Sequence, residues 1–157
     1  LYQMEFVGLR YFNIFGPRQN PNGPYAAVIP LFAEALINLK PPTINGDGSH
    51  SRDFTFVANA VQANMLSLFS DNAEAVNQVY NIACGEQTSL LELFNGLNKE
   101  AKTSLQPVFG PERLGDVKHS MADISKAGKL LGYAPPISVT EGLKITFAWY
   151  KQQSLKK

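Results

Sequence analysis

Apolar and polar positions alternate from Phe6 to Phe12, with Val7, Leu9 and Tyr11 set around Gly8 and Arg10. A period of two predicts a buried strand. Gly16 to Pro24 is rich in glycine, proline and asparagine and reads as a loop. Pro30 suits a first helical turn, and Leu31 to Leu39 then reads as a helix that Pro41 and Pro42 stop. Thr43 to Asn45 is a short strand, and Asn45-Gly46-Asp47-Gly48 is turn chemistry. Arg52 to Val57 predicts another strand, paired with the first as a hairpin or lying beside it.

The period changes to that of a helix over Asn59 to Phe69, where Val61, Met65, Leu66 and Phe69 fall at core spacing. Gln78 to Ala83 is a buried strand. Ser89 with Glu92 makes a capping box ahead of Leu90, Leu93, Phe94 and Leu97. Asp123 is expected to cap a short helix that ends near Leu131 and is stopped by Gly132. Ser138 with Glu141 opens a terminal helix through Leu143, Phe147 and Tyr150, with a polar, frayed tail after Gln153. Strands alternate with helices, which predicts a mixed α/β fold, and no linker divides residues 1–157, so one domain is expected.

The chain has 157 residues, 45% of them hydrophobic, enough for a core at this length. Lys plus Arg is 14 against 13 for Asp plus Glu, and a net charge of +1 predicts neither a nucleic-acid partner nor a charged membrane surface. No apolar run approaches the length of a membrane span. The one cysteine, Cys84, has no internal partner and fits a reducing cytoplasm. The sequence starts at Leu1 and runs directly into a strand, which reads as the middle of a longer protein.

Glycine motifs for phosphates, Gly-x-Gly-x-x-Gly and Gly-x-x-x-x-Gly-Lys-Ser, do not occur in the sequence, nor does a nucleophile elbow. His50, His119 and Cys84 share no ligand spacing, so no metal is expected. The positive signals are Arg52 and Arg113, both in turn-rich settings. Two guanidinium forks suit a diphosphate, and Asp116 suits a ribose hydroxyl. Each arginine also has a local carboxylate to pair with, Asp53 or Glu112.

The blocks Leu9-Arg10-Tyr11-Phe12-Asn13-Ile14-Phe15-Gly16-Pro17-Arg18-Gln19, Ile44-Asn45-Gly46-Asp47-Gly48 with Ser51-Arg52-Asp53-Phe54, Tyr80-Asn81-Ile82-Ala83, and Arg113-Leu114-Gly115-Asp116-Val117-Lys118-His119-Ser120 stand in this order over most of the chain. Together they resemble the carboxy-terminal, substrate-binding portion of the extended short-chain dehydrogenase/reductases, and among these the NAD-dependent UDP-N-acetylglucosamine and UDP-galactose 4-epimerases of polysaccharide precursor synthesis. The resemblance implies that the chain carries the last strands of a Rossmann sheet whose NAD-binding amino-terminal half is absent.

By the same resemblance Arg52 and Arg113 hold the diphosphate, as does Asn13, and Asp116 contacts ribose. Ala27, Val28, Thr43, Asn45 and Leu90 surround the base, with Thr43 where an aromatic is common. Gln19 and Ser120 lie near the sugar, and Tyr11 and Phe12 flank the nicotinamide. Tyr11 and Phe12 read equally well as core aromatics, Asn13 as a strand end, and Thr43 and Asn45 as turn-edge residues.

No Tyr here is followed four residues on by Lys, the pair whose Tyr takes the proton of the sugar C4 hydroxyl in that family, so no catalytic residue is expected and the chain alone is expected to be inactive. A homodimer is expected of the parent, and self-association through an exposed strand edge of this chain. Two other readings stay open: part of a related dehydratase or decarboxylase, and a non-catalytic module that holds UDP-sugars.

Overall fold

A computed structural model describes residues 2–21 and 28–156. The opening alternation forms β1 (Val7–Tyr11), which pairs in parallel with β6 (Gln78–Ile82), Leu9 opposite Tyr80. The chain then kinks at Asn13, whose φ of 37° lies in the left-handed region that asparagine tolerates better than most residues. Beyond the kink β2 (Ile14–Phe15) pairs in parallel with β5 (Thr55–Phe56). β3 (Thr43–Asn45) pairs in parallel with β8 (Val108–Gly110), and β4 (Ser51–Arg52) antiparallel with β7 (Thr88–Ser89). The described residues thus form a mixed α/β fold of short strand pairs with five α-helices and one 3₁₀ turn, as the alternation of patterns predicts.

The expected hairpin of Thr43–Asn45 with Arg52–Val57 does not form. The second run is broken at Asp53 and Phe54 into β4 and β5, which take different partners, and Val57 already starts a helix. Asp53 causes the break. Its carboxylate accepts the backbone N–H groups of Cys84 at 2.9 Å, Gly85 at 3.0 Å and Ala122 at 3.2 Å, so the chain turns inward there.

α1 (Val28–Ile37) starts earlier than expected and takes Pro30 into its first turn. It ends before the prolines do their work. Leu39, at φ 54°, is a left-handed residue in a Schellman closure in which Lys40 N donates to Ala35 O at 2.9 Å and Leu39 N to Leu36 O at 3.1 Å. α2 (Val57–Leu68) buries Asn59, Ala60 and Ala63. Small residues let it lie close to the strands, and the larger Val61, Met65 and Phe69 are exposed rather than in the core. The buried Asn59 side chain binds Ile137 in both directions, donating to its carbonyl at 2.8 Å and accepting its N–H at 3.1 Å.

α3 (Leu90–Ala101) has the complete capping box: Glu92 N donates to Ser89 Oγ, and Ser89 N to Glu92 Oε2 at 2.8 Å. Ser89→Ala is expected to lower stability by about 1 kcal/mol, seen as a lower urea midpoint at unchanged slope. α4 (Ser125–Leu131) begins one residue later than an Asp123 cap would place it. Asp123 instead accepts from Ser125 N at 2.8 Å, and Gly132 at φ 67° closes the other end. At α5 (Val139–Ser154) only half of the second box forms, with Ser138 accepting from Glu141 N.

The larger core joins Phe15, Phe54 and Phe56 to α1, α3 and α5. Phe15 meets Phe54 and Phe56 edge-on at centroid distances of 6.5 and 5.7 Å, a geometry worth about 1 kcal/mol per pair beyond burial. A second cluster packs Tyr80 and Ile82 against α4 and Tyr133. The buried hydroxyls there are satisfied, Tyr80 donating to Ala75 O and Tyr133 to Ala83 O, each at 2.8 Å.

Candidate functional site

Ser51, in β4, is gripped from two sides. β7 lies along one. On the other, Ser51 N donates to Lys118 O at 2.9 Å and Ser120 N donates to Ser51 O at 3.1 Å. That double pairing brings the segment 111–120 to Arg52. The Arg52 Nη1 donates to the carbonyls of Ser51 at 2.8 Å and Lys118 at 3.3 Å, and Nη2 forms a short ion pair with Asp116 Oδ1. Arg52 therefore pairs with Asp116, 64 residues away, and not with Asp53, whose oxygens are taken by backbone N–H groups. Arg113 makes no ion pair among the described residues.

Beside this pair lies a cavity of about 1090 Å³. It collects Asn13, Gln19, Val28, Thr43, Asn45, Arg52, Leu90, Arg113 and Asp116, brought together from six stretches of sequence. Phe15, Phe32, Ile44 and Phe54 make an apolar floor, and the two arginines share one cavity rather than facing apart. Ala27 lies outside the described residues. Ser120 does not line the cavity; its half-buried backbone extends the pairing with Ser51. Tyr11 and Phe12 precede the kink and are also outside the lining. Tyr11 is exposed, its hydroxyl bonded to Asn64 of α2, while Phe12 N donates to Ile82 O at 3.1 Å.

Gln19 is held by three contacts: its Nε2 donates to Ile14 O at 3.1 Å, its N–H reaches Gly16 O, and its carbonyl accepts a short hydrogen bond from the Tyr150 hydroxyl of α5. Its Oε1 is buried and unpartnered, an acceptor in a cavity wall. Burial, and then the Glu34 carboxylate, push the Tyr150 phenol up, so it stays a donor to that carbonyl.

Sequence reasoning missed His50. This imidazole is 5% exposed, lines the cavity, and has no hydrogen-bond partner at Nε2. Its position two residues before Arg52 was the only signal for it, and nothing in the sequence says that a residue in a polar turn is buried.

The one thiol, Cys84, lies outside the cavity lining. Burial, followed by the Asp53 charge, pushes the Cys84 thiol up and keeps it protonated. No group of three or more His, Cys, Asp or Glu that could hold a metal occurs among the described residues, and no helix among them is long and apolar enough to cross a membrane.

Comparison with known proteins bears on what binds. The sequence profile described as "NAD dependent epimerase/dehydratase family" matches residues 1–83. The crystal structure of UDP-glucose 4-epimerase with UDP-glucose from Thermotoga maritima superposes at a TM-score of 0.90 with 36% identity, covering 98% of this chain and 48% of that one. UDP-N-acetylglucosamine 4-epimerase from Methanobrevibacter ruminantium M1, in complex with UDP-N-acetylmuramic acid, gives a TM-score of 0.88 with 41% identity over 97% and 48% of the two chains. A UDP-N-acetyl-alpha-D-glucosaminuronate decarboxylase of Bacillus cytotoxicus is 30% identical over 151 residues, 92% of this chain and 46% of its own length. The chain spans about half the length of the curated relatives it matches.

Proposed function

Since the chain belongs to the NAD dependent epimerase/dehydratase family, we propose that its cavity holds the nucleotide end of a UDP-sugar, as the carboxy-terminal part of a UDP-hexose or UDP-N-acetylhexosamine 4-epimerase serving polysaccharide precursor synthesis. The observation that carries this reading is the presence of Arg52, Arg113 and Asp116 in the wall of one cavity. In this reading the two forks take the oxygens of a diphosphate and the carboxylate beside them takes ribose hydroxyls. Asn13 donates to the same diphosphate. Ala27, Val28, Thr43, Asn45 and Leu90 enclose the uracil, and Gln19 and Ser120 lie toward the sugar. That the two superposed epimerase structures hold UDP-glucose and UDP-N-acetylmuramic acid supports the choice of ligand.

The binding energy so gathered is remote from the reacting carbon. Its use is to hold the nucleotide while the sugar turns, which raises the rate only as far as it positions the transition state. NAD supplies hydride exchange in such a reaction. This chain offers it no glycine-rich turn between strand and helix, so its residues do not fit the cofactor's pyrophosphate. Tyr11 and Phe12, at the end of β1, would flank only its nicotinamide. The chain alone is accordingly inactive. The parent works in the cytoplasm as a homodimer, and the edge of β1 away from β6 is where this chain self-associates. The decarboxylase among the relatives keeps a second reading alive, a related decarboxylase or dehydratase with the same nucleotide grip.

Calorimetry of UDP against this chain tests the proposal. Weak binding is expected, since the chain spans about half the length of the epimerases whose structures hold UDP-sugars and a shortened pocket is less preorganised. Arg113→Ala should weaken it about tenfold or more, as loss of a charge-assisted contact does. Uridine binding as well as UDP, or Arg113→Ala binding UDP as the unaltered chain does, would sink the reading. Nanomolar affinity would favour a self-standing module.

A further inference from the structure

Arg113 and Asp116 ride on a segment with little to hold it. Residues 111–119 are exposed, Leu114 fully so, and Gly115 turns the chain at φ 81° with open space around its α-carbon. The hydrogen bond inside the turn is Asp116 N to Arg113 O, at 3.2 Å. The buried His50 ring faces Glu112 and Asp116 at 3.9 and 3.7 Å, too far to bond either. An exposed glycine turn held no further would wander beyond the ~0.5 Å that a binding constellation tolerates.

The anchor lies at the far end of the segment. His119 is the bridge partner of Ser51, flanked by Ser51 N donating to Lys118 O and Ser120 N donating to Ser51 O. The side chains repeat the link, with Ser51 Oγ and His119 Nδ1 hydrogen-bonded at 2.9 Å. Ser51 is 5% exposed whereas His119 lies at the surface. A surface ring thus reaches down to a buried hydroxyl that bonds nothing else among the described residues. Arg52 leans on the same end. Its Nη1 donates to Ser51 O and Lys118 O and its Nη2 to Asp116, which leaves its Nε–H and the second Nη2 hydrogen for a ligand. A shift of residues 116–118 therefore turns the Arg52 fork and carries Arg113 away from it at once.

We infer that His119 is a positioning residue: by tying the 111–120 segment to Ser51 it sets the spacing of the two guanidinium forks, and with it their grip on a diphosphate. What the forks hold rests on the functional reading above. His119 lies outside the cavity lining and acts only through the segment. Its loss is felt by the diphosphate and not by the base.

The test uses the whole chain and five variants: His119→Ala, Ser51→Ala, the two together, His119→Asn and His119→Gln. Each is titrated with UDP and with uridine and followed by NMR chemical shifts, which read weak binding. His119→Ala is expected to weaken UDP binding about tenfold and uridine binding less than about twofold, since preorganisation is lost and no contact is removed. Ser51→Ala should do the same, and the double variant no more than either, because one bond is cut in all three. Asparagine puts its amide where the imidazole holds Nδ1 and should restore most of the affinity; glutamine puts it one bond further out and should not. A merely structural loss would not tell the two amides apart. UDP affinity unmoved in His119→Ala overturns the inference, as do equal losses for UDP and uridine, or losses that add in the double variant. His119→Ala strands a buried hydroxyl; should it not fold, Ser51→Ala, which strands none, decides. Backbone ¹⁵N relaxation of residues 113–118 without ligand completes the test. Order parameters there should fall in both single variants, and a segment as rigid as in the natural chain overturns the inference. Failure of UDP to bind the natural chain sinks the functional reading and leaves the relaxation result standing.

Discussion

Asp53→Ala is expected to cost about 4 kcal/mol or more, enough to leave much of the chain unfolded. Three buried or half-buried backbone N–H groups, those of Cys84, Gly85 and Ala122, lose their acceptor at once. Each orphaned donor costs about 1–3 kcal/mol, against a total stability of about 5–15 kcal/mol for a chain of ordinary stability. Asparagine should rescue little. With its amide oxygen in the Oδ2 position asparagine still accepts from Gly85 and Ala122, but its NH₂ then faces the Cys84 N–H, donor against donor, and the charge that strengthened all three bonds is gone. Burial pushes the Asp53 carboxyl up despite the three N–H groups that pull it down, which shows how deep the anchor lies. Urea unfolding followed by circular dichroism is the measurement. An Asp53→Asn chain within about 1 kcal/mol of the natural one would refute the role given to this carboxylate.

Gly142→Leu should cost about 3 kcal/mol and empty the cavity of its shape. Gly142 lies in α5 where even an added Cβ would stand 2.8 Å from Phe15 Cζ and 2.9 Å from Phe56 Cδ2. A helix interior ordinarily gains about 1 kcal/mol when glycine becomes alanine. Here the rings are closed in by the core, so overpacking, at about 1–3 kcal/mol, wins over propensity. The functional consequence follows from position. Phe15 lies two residues after Asn13, Phe54 two after Arg52, and both floor the cavity. Gly142→Leu should therefore lose UDP binding together with stability. A chain that folds normally and binds UDP unchanged would show that α5 does not set the floor.

Much of this was legible in the sequence. The two-residue period of Val7–Tyr11, the short apolar run at Gln78–Ile82 and the capping box at Ser89 encode local conformation, and local conformation is what sequence pattern reports. The cavity wall was legible for a different reason: Asn13, Arg52, Arg113 and Asp116 stand in blocks whose order resembles a known family. What stayed hidden was long-range. Arg52 has Asp53 beside it in sequence, yet it pairs with Asp116 because Asp53 is drawn inward by three peptides. The strands β4 and β5 are too short to declare their separate partners. Val61, Met65 and Phe69 have core spacing but face outward, since spacing states that an apolar stripe exists and not what it meets. His50 was missed because burial of a turn is a tertiary fact.

The double grip on Ser51 has a kinetic corollary. β4 is two residues long, and its partners come from positions 88–89 and 118–120, so nothing near it in the chain can hold it. Closing such distant segments is slow compared with winding α2, α3 or α5. The cavity wall should thus be completed late in refolding and surrendered early in unfolding, so that amide protons around Arg52 and Ser120 exchange ahead of those in α3.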